Sequence, residues 1–286
     1  GGDDFLCATC REKNLLGRDS CVGALRMAEP DHVMRPRVYA ELHTSARGGL
    51  DPNAVAATAA NYEMDGEALI AKAYDVPMSV RLLCTAIEGQ DGGDALRDAA
   101  AELCGKFVDV LPPGFRTYRN PPRSYHSTVF HTGHPSELRP KTKAQVEEEL
   151  LVCKRLVGAT SAMRVEVHRV VLASSGVLLV LLNEQGNGVS PVDGLRLRCR
   201  RAFPTAPRKQ ATFVMHVSLC RVATAPAVDH DQWRAVLNHV DDLSSKIQGM
   251  QATLRTIWHV QEPRVAICGD VRGGCVVTPL ACRTTN

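Results

Sequence analysis

Two short segments of the chain each carry a histidine followed two positions later by a hydroxyl residue. They span residues 125–130 (YHSTVF) and 215–220 (MHVSLC), and their histidines lie about 90 positions apart. Side chains of a β-strand alternate between its two faces, so His126 and Thr128 point the same way, as do His216 and Ser218. An imidazole beside a hydroxyl, supplied twice, is the set of groups that acid/base chemistry around a phosphate needs.

The bare His-x-Ser/Thr pattern also occurs at His43 and His134, so the sequence around each match decides its meaning. Pro135 removes a backbone donor directly after His134 and predicts a loop there. An Arg-Gly-Gly run at 47–49 follows His43 and predicts a turn. Only the segments around His126 and His216 continue in the apolar and β-branched residues typical of strands.

The paired segments could hydrolyse a phosphodiester. This reaction needs a base that activates water, an acid that protonates the leaving oxygen, and donors for the phosphate oxygens. Two imidazoles with ordinary pKa values of about 6.5 can share the first two roles at neutral pH. The hydroxyls of Thr128 and Ser218 can donate to the non-bridging oxygens. This chemistry requires no metal and no cofactor, and the sequence contains no P-loop, Gly-x-Ser-x-Gly or His-Glu-x-x-His motif.

Apolar periodicity predicts the elements that position these residues. A helix, a histidine strand, a second helix and a further strand follow one another twice along the chain. Helices are predicted over 53–62, 94–107, 143–157, 191–201 and 231–250, although alternation at 195–200 leaves a strand open there. Strands are predicted for the two histidine segments and over 163–173, 177–183 and 253–260, and 174–176 is predicted to close a hairpin.

The two rounds superpose at an offset of about 90 positions, which indicates a repeat of architecture rather than of sequence. Residues 1–76 lie outside these two rounds, and we predict that they form an N-terminal extension or lid. This segment contains the predicted helix over 53–62 and a second apolar-periodic stretch at 66–74. A main domain over 77–286 would follow, with lobes of about 77–188 and 189–286. A pseudo-twofold relation between the lobes would bring both histidine strands to one cleft.

His126-Ser127-Thr128-Val129 and His216-Val217-Ser218-Leu219, in duplicated lobes, resemble the motifs of the two-histidine (2H) phosphoesterase superfamily. That superfamily includes LigT-type RNA 2′,3′-cyclic phosphodiesterases and the AMP-binding domain of some A-kinase anchoring proteins. The resemblance covers residues 77–282. It implies a bilobal, duplicated α+β fold with two antiparallel sheets flanking a central cleft and helices outside. It also implies that the two histidines are the acid/base pair and that Thr128 and Ser218 bind the phosphate.

Two functions follow from this resemblance. The first is a metal-independent phosphoesterase that hydrolyses a 2′,3′-cyclic phosphate or an RNA 3′ end through the histidine pair. The alternative is a non-catalytic module that binds an AMP-like nucleotide in the same cleft. In either case the partner is a nucleotide or an RNA end, and we expect a monomer. A third alternative is a scaffold protein whose histidines are structural.

Further candidate substrate contacts lie outside the motifs. Tyr118, Arg119 and Arg123 precede the first motif in a loop and are candidates for base or phosphate contacts. Trp258 is a candidate for stacking on a nucleobase, with packing as the alternative. His131 and His134, beyond the first motif, are expected at exposed turns.

Composition limits the class of protein. A net charge of +3 is too small for a protein that coats nucleic acid, and the arginines at 196, 198, 200 and 201 are expected on a solvated face. The 11 scattered cysteines favour reduced thiols; zinc bound by Cys7, Cys10, Cys21 and His32, or a Cys268–Cys275 pair, are alternatives. No membrane span or signal peptide is visible, which predicts a cytoplasmic or nuclear protein. Because the chain starts at Gly1 without Met, organelle targeting stays open.

Overall fold

The computed structural model describes residues 31–66, 68–186, 190–207, 214–265 and 274–283. Six α-helices occur in this part of the chain: α1 (Asp31–Ser45), α2 (Pro52–Ala59), α3 (Gly93–Asp109), α4 (Lys143–Gly158), α5 (Pro191–Ala202) and α6 (His230–Ile247). The strands are β1 (Tyr62–Asp65), β2 (Ala68–Ala71), β3 (Val80–Ala86), β4 (Arg116–Arg119), β5 (His126–Gly133), β6 (Met163–Leu172), β7 (Val177–Glu184), β8 (His216–Thr224), β9 (Gln251–Leu254), β10 (Thr256–Glu262) and β11 (Val276–Ala281).

Two antiparallel sheets organise the fold, which confirms the predicted α+β class. The first sheet has the strand order β11-β10-β3-β5 and the second has the order β4-β8-β7-β6-β9, while β1 and β2 form a separate hairpin. β5 and β8, the two histidine strands, belong to different sheets and contact each other. Each sheet draws strands from both 77–188 and 189–286, so the sheets do not coincide with the two halves of the sequence.

The main apolar core lies between the outer faces of the sheets and the helices. Phe107 of α3, Cys153 of α4, Leu195 of α5 and Val240 of α6 are buried there with the strand residue Val129. Thr142 and Gln145 form a reciprocal capping box that fixes the start of α4. Helices α3 to α6 therefore cover the outer faces of the sheets and leave the inner faces to the N-terminal elements.

The inner faces, which carry the motif side chains, are partly covered by the segment before β3. Tyr39 of α1 is buried against Leu179 and Leu181 of the second sheet. Tyr62 of β1 packs with Leu82 of the first sheet, and its ring stacks on Tyr118 at 4.5 Å between ring centroids. The N-terminal segment thus forms walls on either side of the motif strands.

Tyr39 also ties α1 to the strand that carries His216. Its hydroxyl accepts a hydrogen bond from the Met215 backbone N–H at 3.0 Å and lies 2.7 Å from the Leu182 carbonyl oxygen, to which it donates. We expect Tyr39→Phe to lower the free energy of unfolding by about 1–3 kcal/mol, because it leaves buried backbone groups unpaired. Tyr62→Phe is the matched control, since the buried Tyr62 hydroxyl has no partner among the described residues. Urea denaturation of both variants checks this, and equal losses would contradict it.

A buried ion network closes the outer face of the first sheet. The Glu149 carboxylate accepts from Arg81 Nε at 3.3 Å and from Thr132 Oγ1 at 2.6 Å, and it lies 3.0 Å from His259 Nε2. These hydrogen bonds and the Lys141 ammonium hold the pKa of Glu149 at about 2 despite its burial. Its side chains lie on the face opposite the motif side chains, so the network is structural.

The structure differs from the predicted elements in several places. Tyr118 and Arg119, predicted in a loop, lie on β4, which pairs with β8. The predicted strand over 253–260 is two strands, β9 and β10, which join different sheets on either side of Arg255. The apolar-periodic stretch at 66–74 contributes β2 to a hairpin, and α1 was not predicted. The hairpin turn predicted at 174–176, in contrast, is confirmed: it joins β6 to β7, and Gly176 has a φ of +79°.

Several predictions concern residues outside the described ranges or chain-wide properties. The alternative zinc site and the Cys268–Cys275 pair involve residues outside those ranges. The cysteines among the described residues are all buried, and Cys104, Cys153, Cys199, Cys220 and Cys282 are free thiols. Of the helices in the described part of the chain, none has both the length and the apolar character needed to cross a bilayer.

Candidate functional site

The two motif strands have the same pattern of exposure. Over eight residues from each histidine, positions 1, 3 and 6 are half-buried and the other positions are buried. The half-buried side chains are His126, Thr128 and His131 in β5, and His216, Ser218 and Arg221 in β8. They lie on the inner faces of the sheets, and the region that they line is called the cleft below. The alternation of side chains along each segment predicts the first two members of each set on one face of the strand. The third members follow from a local irregularity in each strand.

Each strand contains a β-bulge immediately after its hydroxyl residue. In β5, Thr128 pairs with Cys84 and Phe130 with Leu83, so Val129 is the extra residue. In β8, Ser218 pairs with Leu179 and Cys220 with Leu178, which makes Leu219 the extra residue. A bulge shifts the alternation of side chains by one position. For this reason the next inward side chain comes five positions after each histidine rather than four.

The two imidazoles are close enough to influence each other, because the charge of His126 lowers the pKa of His216. Burial is the main cause of the shift for both rings, and Arg221 adds to it. The pKa of His126 falls below its ordinary value and that of His216 falls to about 3. The Ser124 carbonyl oxygen lies 2.8 Å from His126 Nδ1. A carbonyl can only accept, so Nδ1 carries the hydrogen and Nε2 keeps its lone pair.

Arg221 is the central cation of the cleft. Its charge lowers the pKa of both His126 and His216, and it also acts on Tyr62 and Glu262. Across the described residues, no carboxylate lies within ion-pair distance of its guanidinium, and its buried Nε has no hydrogen-bond partner. Arg221 is half-buried, and a partly desolvated guanidinium with a buried, unpartnered N–H favours a ligand of opposite charge. The cleft is therefore suited to an anion.

Glu262 does not neutralise this cation at neutral pH. It lies on β10 opposite Val80 and is 5% exposed. Burial raises the pKa of its carboxyl group to about 8, although the charge of Arg221 opposes the shift. A protonated Glu262 leaves the positive charge of Arg221 available to a ligand.

Buried polar atoms without partners gather around the same cleft. Within the described ranges they include Tyr62 Oη, Asn120 Oδ1, His131 Nδ1 and Arg221 Nε. The Asn120 side chain is placed there by its amide, which donates to the Ser218 carbonyl oxygen at 2.7 Å. Buried polar groups are normally hydrogen-bonded, so this concentration is typical of a site for a polar ligand.

The predicted secondary contacts occupy different environments. Tyr118 and Trp258 lie on the inner faces, Tyr118 beneath Tyr62 and Trp258 half-buried two strands from Thr128. Arg119 is exposed and pairs with Cys220, and its charge acts on buried thiols of the outer face. Arg123 is exposed, with its Nε 3.8 Å from Glu88. Only the first two therefore lie beside the motif side chains.

Sequence reasoning missed several residues of this site. His131 was expected at an exposed turn but lies within β5, where burial is the main cause that lowers its pKa to about 3. Arg221 and Glu262 were not singled out at all. The equal spacing of His131 and Arg221 from the two motif histidines was a signal in the sequence, whereas nothing local marks Glu262.

The lowered pKa values predict how stability depends on pH. His126, His131 and His216 resist protonation in the folded protein, so below about pH 6.5 the unfolded chain binds more protons. Their contribution to stability is complete above that pH and falls as the pH drops, by at most about 1.4 kcal/mol per histidine and pH unit. Glu262 has the opposite effect, because its raised pKa makes the folded protein bind more protons: its contribution to stability falls as the pH rises from its ordinary pKa to about 8. We therefore expect His131→Leu to flatten the dependence of the unfolding free energy on pH between 6.5 and 5; an unchanged slope would contradict the shift.

A second concavity of about 820 Å³ lies between α2 and the start of α6. It is lined largely by apolar residues, among them Val55, Phe115 and Trp233. Neither motif contributes to it. The described residues contain no group of three or more side chains that could hold a metal ion.

Comparison with known proteins gives structural likenesses only. No family model and no curated protein sequence matches the chain. The protein TT0787 of Thermus thermophilus is 15% identical, with 72% of this chain and 100% of that chain covered and a TM-score of 0.47. LigT of E. coli, crystallised with NADP+, is 14% identical over 71% of this chain and 97% of its own, with a TM-score of 0.42. A structure described as a phosphoesterase is 12% identical, with 72% of this chain and 99% of that chain covered and a TM-score of 0.41. The similarity is one of overall fold.

Proposed function

We propose that the protein is a phosphoesterase that hydrolyses a 2′,3′-cyclic phosphate or the 3′ end of RNA through His126 and His216. The observation that carries this proposal is the pairing of the motifs. Two strands from different sheets each present an imidazole and a hydroxyl at the same positions, beside Arg221, which has no carboxylate partner among the described residues. An anion between the two imidazoles would meet donors from both sides.

The reaction uses one imidazole as base and the other as acid. His126 takes a proton from water through Nε2: its Nδ1–H donates to Ser124, which fixes the tautomer, and burial favours the neutral ring. The water oxygen bonds to phosphorus, the bond from phosphorus to one ribose oxygen breaks, and His216 gives that oxygen a proton. The product is a phosphomonoester beside a free hydroxyl. His216 must gain its proton with the substrate, because in the free protein its pKa is about 3.

The remaining cleft residues stabilise the phosphate. Thr128 and Ser218 donate hydrogen bonds to the non-bridging oxygens, where charge accumulates in the transition state. Arg221 supplies the compensating positive charge, and the bound anion in turn favours the protonated form of His216.

The second candidate function is binding of an AMP-like nucleotide without turnover. One observation favours it: burial and Arg221 lower the pKa of both histidines, so neither is protonated in the free protein at neutral pH. If bound phosphate does not restore a proton to either ring, the cleft still binds an anion but has no general acid.

Incubation with nucleoside 2′,3′-cyclic phosphates and 3′-tailed RNA in EDTA, followed by chromatography, tests the proposal. Chelator-resistant turnover supports the phosphoesterase. Binding of nucleotide in calorimetry without turnover supports the binding module. If neither turnover nor binding occurs, both functions are rejected and the histidines are structural.

A further inference from the structure

A β-bulge leaves backbone carbonyl groups without their partners in the neighbouring strand. The two motif strands each have such a bulge at the same step, directly after Thr128 in β5 and after Ser218 in β8. Since unpaired buried carbonyls are costly, each bulge needs donors from elsewhere in the chain.

In β5 the donors come from Arg196, a residue of α5 that is 1% exposed. Its Nε donates to the Val129 carbonyl oxygen at 3.1 Å and its Nη2 to that of Thr128 at 3.2 Å. Nη2 also donates to the Val214 carbonyl oxygen at 2.9 Å, two residues before His216. A single guanidinium therefore joins the first bulge to the strand that carries the second histidine.

In β8 the donors come from Asn120, which lies between β4 and β5 and is 7% exposed. Its side-chain amide donates to the Ser218 carbonyl oxygen at 2.7 Å, and its backbone N–H donates to that of Leu219 at 2.9 Å. The corresponding carbonyls of the two bulges are thus held by one clamp each, Arg196 for the first and Asn120 for the second.

The Arg196 clamp is itself supported by ion pairs with charged side chains of α1, α5 and β7. Asp193, one turn earlier in α5, lies 3.6 Å from Arg196 Nη1 and 3.0 Å from Arg35 Nη2 of α1. Arg35 also lies 3.8 Å from Glu184 at the end of β7. The Arg196 guanidinium is therefore held by the carbonyl oxygens to which it donates and by the Asp193 carboxylate.

We propose that Arg196 and Asn120 are positioning residues, which hold the two bulges in register so that the imidazole and hydroxyl of each motif face one phosphate. This inference rests on the phosphoesterase activity proposed above and deepens it. Both act on the reacting groups through the backbone carbonyls that they hold. Arg196 has a second effect, because its positive charge acts on His216 together with Arg221 from the same strand and His126 from β5.

Two substitutions test the clamps. Arg196→Lys keeps the charge but cannot reproduce the fork that reaches three carbonyls, and Asn120→Ala removes the side-chain donor while the backbone hydrogen bond remains. Displacing reacting groups by about 1 Å can cost about a hundredfold in rate. We expect kcat to fall at least about tenfold in each variant with KM changed by less than about threefold.

The controls make the same kinds of substitution at residues that do not contact the two bulges. Arg81→Lys alters the other large fully buried arginine, which pairs with Glu149 on the outer face. Asn61→Ala removes another amide that donates to a backbone carbonyl, at 3.1 Å, outside the motifs. Both controls should change the melting temperature without lowering kcat.

A pH profile separates positioning from simple destabilisation. Arg196→Met removes a positive charge near His216, so the pKa of His216 should rise and the limb of the pH profile that reports this ring should move to higher pH, whereas Arg196→Lys should leave that limb in place. Where Arg196→Met fails to fold, Arg196→Lys and Asn120→Ala decide. Folded Arg196→Lys and Asn120→Ala proteins that keep kcat within about twofold of the unsubstituted protein would overturn the proposal.

Failure of the proposed function would be recognised separately. If the unsubstituted protein turns over no substrate, the imidazole signals of His126 and His216 are compared by NMR. The clamp proposal predicts that Arg196→Lys and Asn120→Ala shift these signals and that Arg81→Lys and Asn61→Ala do not. Unshifted signals in both clamp variants would overturn it whatever the activity.

Discussion

Alanine at either motif histidine is expected to lower kcat for a nucleoside 2′,3′-cyclic phosphate by about a thousandfold. General acid or base catalysis by one positioned side chain contributes about 10²–10⁴-fold, and each imidazole supplies one of these roles. KM should change little, because Thr128, Ser218 and Arg221 still bind the phosphate. Steady-state kinetics in EDTA measures both parameters for His126→Ala and His216→Ala.

The double variant gives a stricter test of the pairing. If the two rings act in one step, His126→Ala/His216→Ala should lose much less than the product of the single losses. His134→Ala is the matched control, because His134 begins another His-x-Ser sequence but lies at a turn beyond the end of β5. Multiplicative losses, or an equal loss in His134→Ala, would contradict a shared acid/base site.

Replacing Arg221 by glutamine is expected to raise KM by about 10–100-fold. A hydrogen bond between charged groups contributes about 1.5–3 kcal/mol, and this cation has no carboxylate partner among the described residues to share its charge. Loss of the charge should also raise the pKa of His126 and His216, because Arg221 lowers both. The acid limb of the kcat/KM profile should therefore move to higher pH.

Arg119→Gln provides the control for this prediction. Arg119 lies on β4, the neighbour of β8, but its side chain is exposed and faces away from the cleft. It should leave KM and the pH profile unchanged. If Arg119→Gln weakens binding as much as Arg221→Gln does, the positive potential of the whole region, and not one guanidinium, binds the phosphate.

The residues that form the centre of this site could be found in the sequence because strand periodicity is local. The alternation around His126 and His216 predicts an imidazole and a hydroxyl on one face of each strand. In the structure, β5 and β8 carry these side chains on their inner faces. The helix over 191–201 was favoured from the spacing of Val192, Leu195 and Cys199, which are buried in α5 as that spacing requires.

The supporting residues could not be found in this way because their roles depend on distant partners. Arg196 was expected on a solvated face with its neighbouring arginines, yet it is buried because three carbonyls of β5 and the segment before β8 need its donors. Asn120 has no local signal at all. Periodicity also does not say which strands pair, so it did not reveal that each sheet combines both halves of the chain.

The most direct test of the shared phosphate site is an NMR titration with a nucleoside 2′-monophosphate, using protein with ¹⁵N-labelled histidines at pH 7. The account predicts that the signals of His126 and His216 move together toward the protonated form with one dissociation constant, while that of His134 does not move. Binding that shifts only one motif histidine, or neither, would contradict a phosphate held between the two imidazoles.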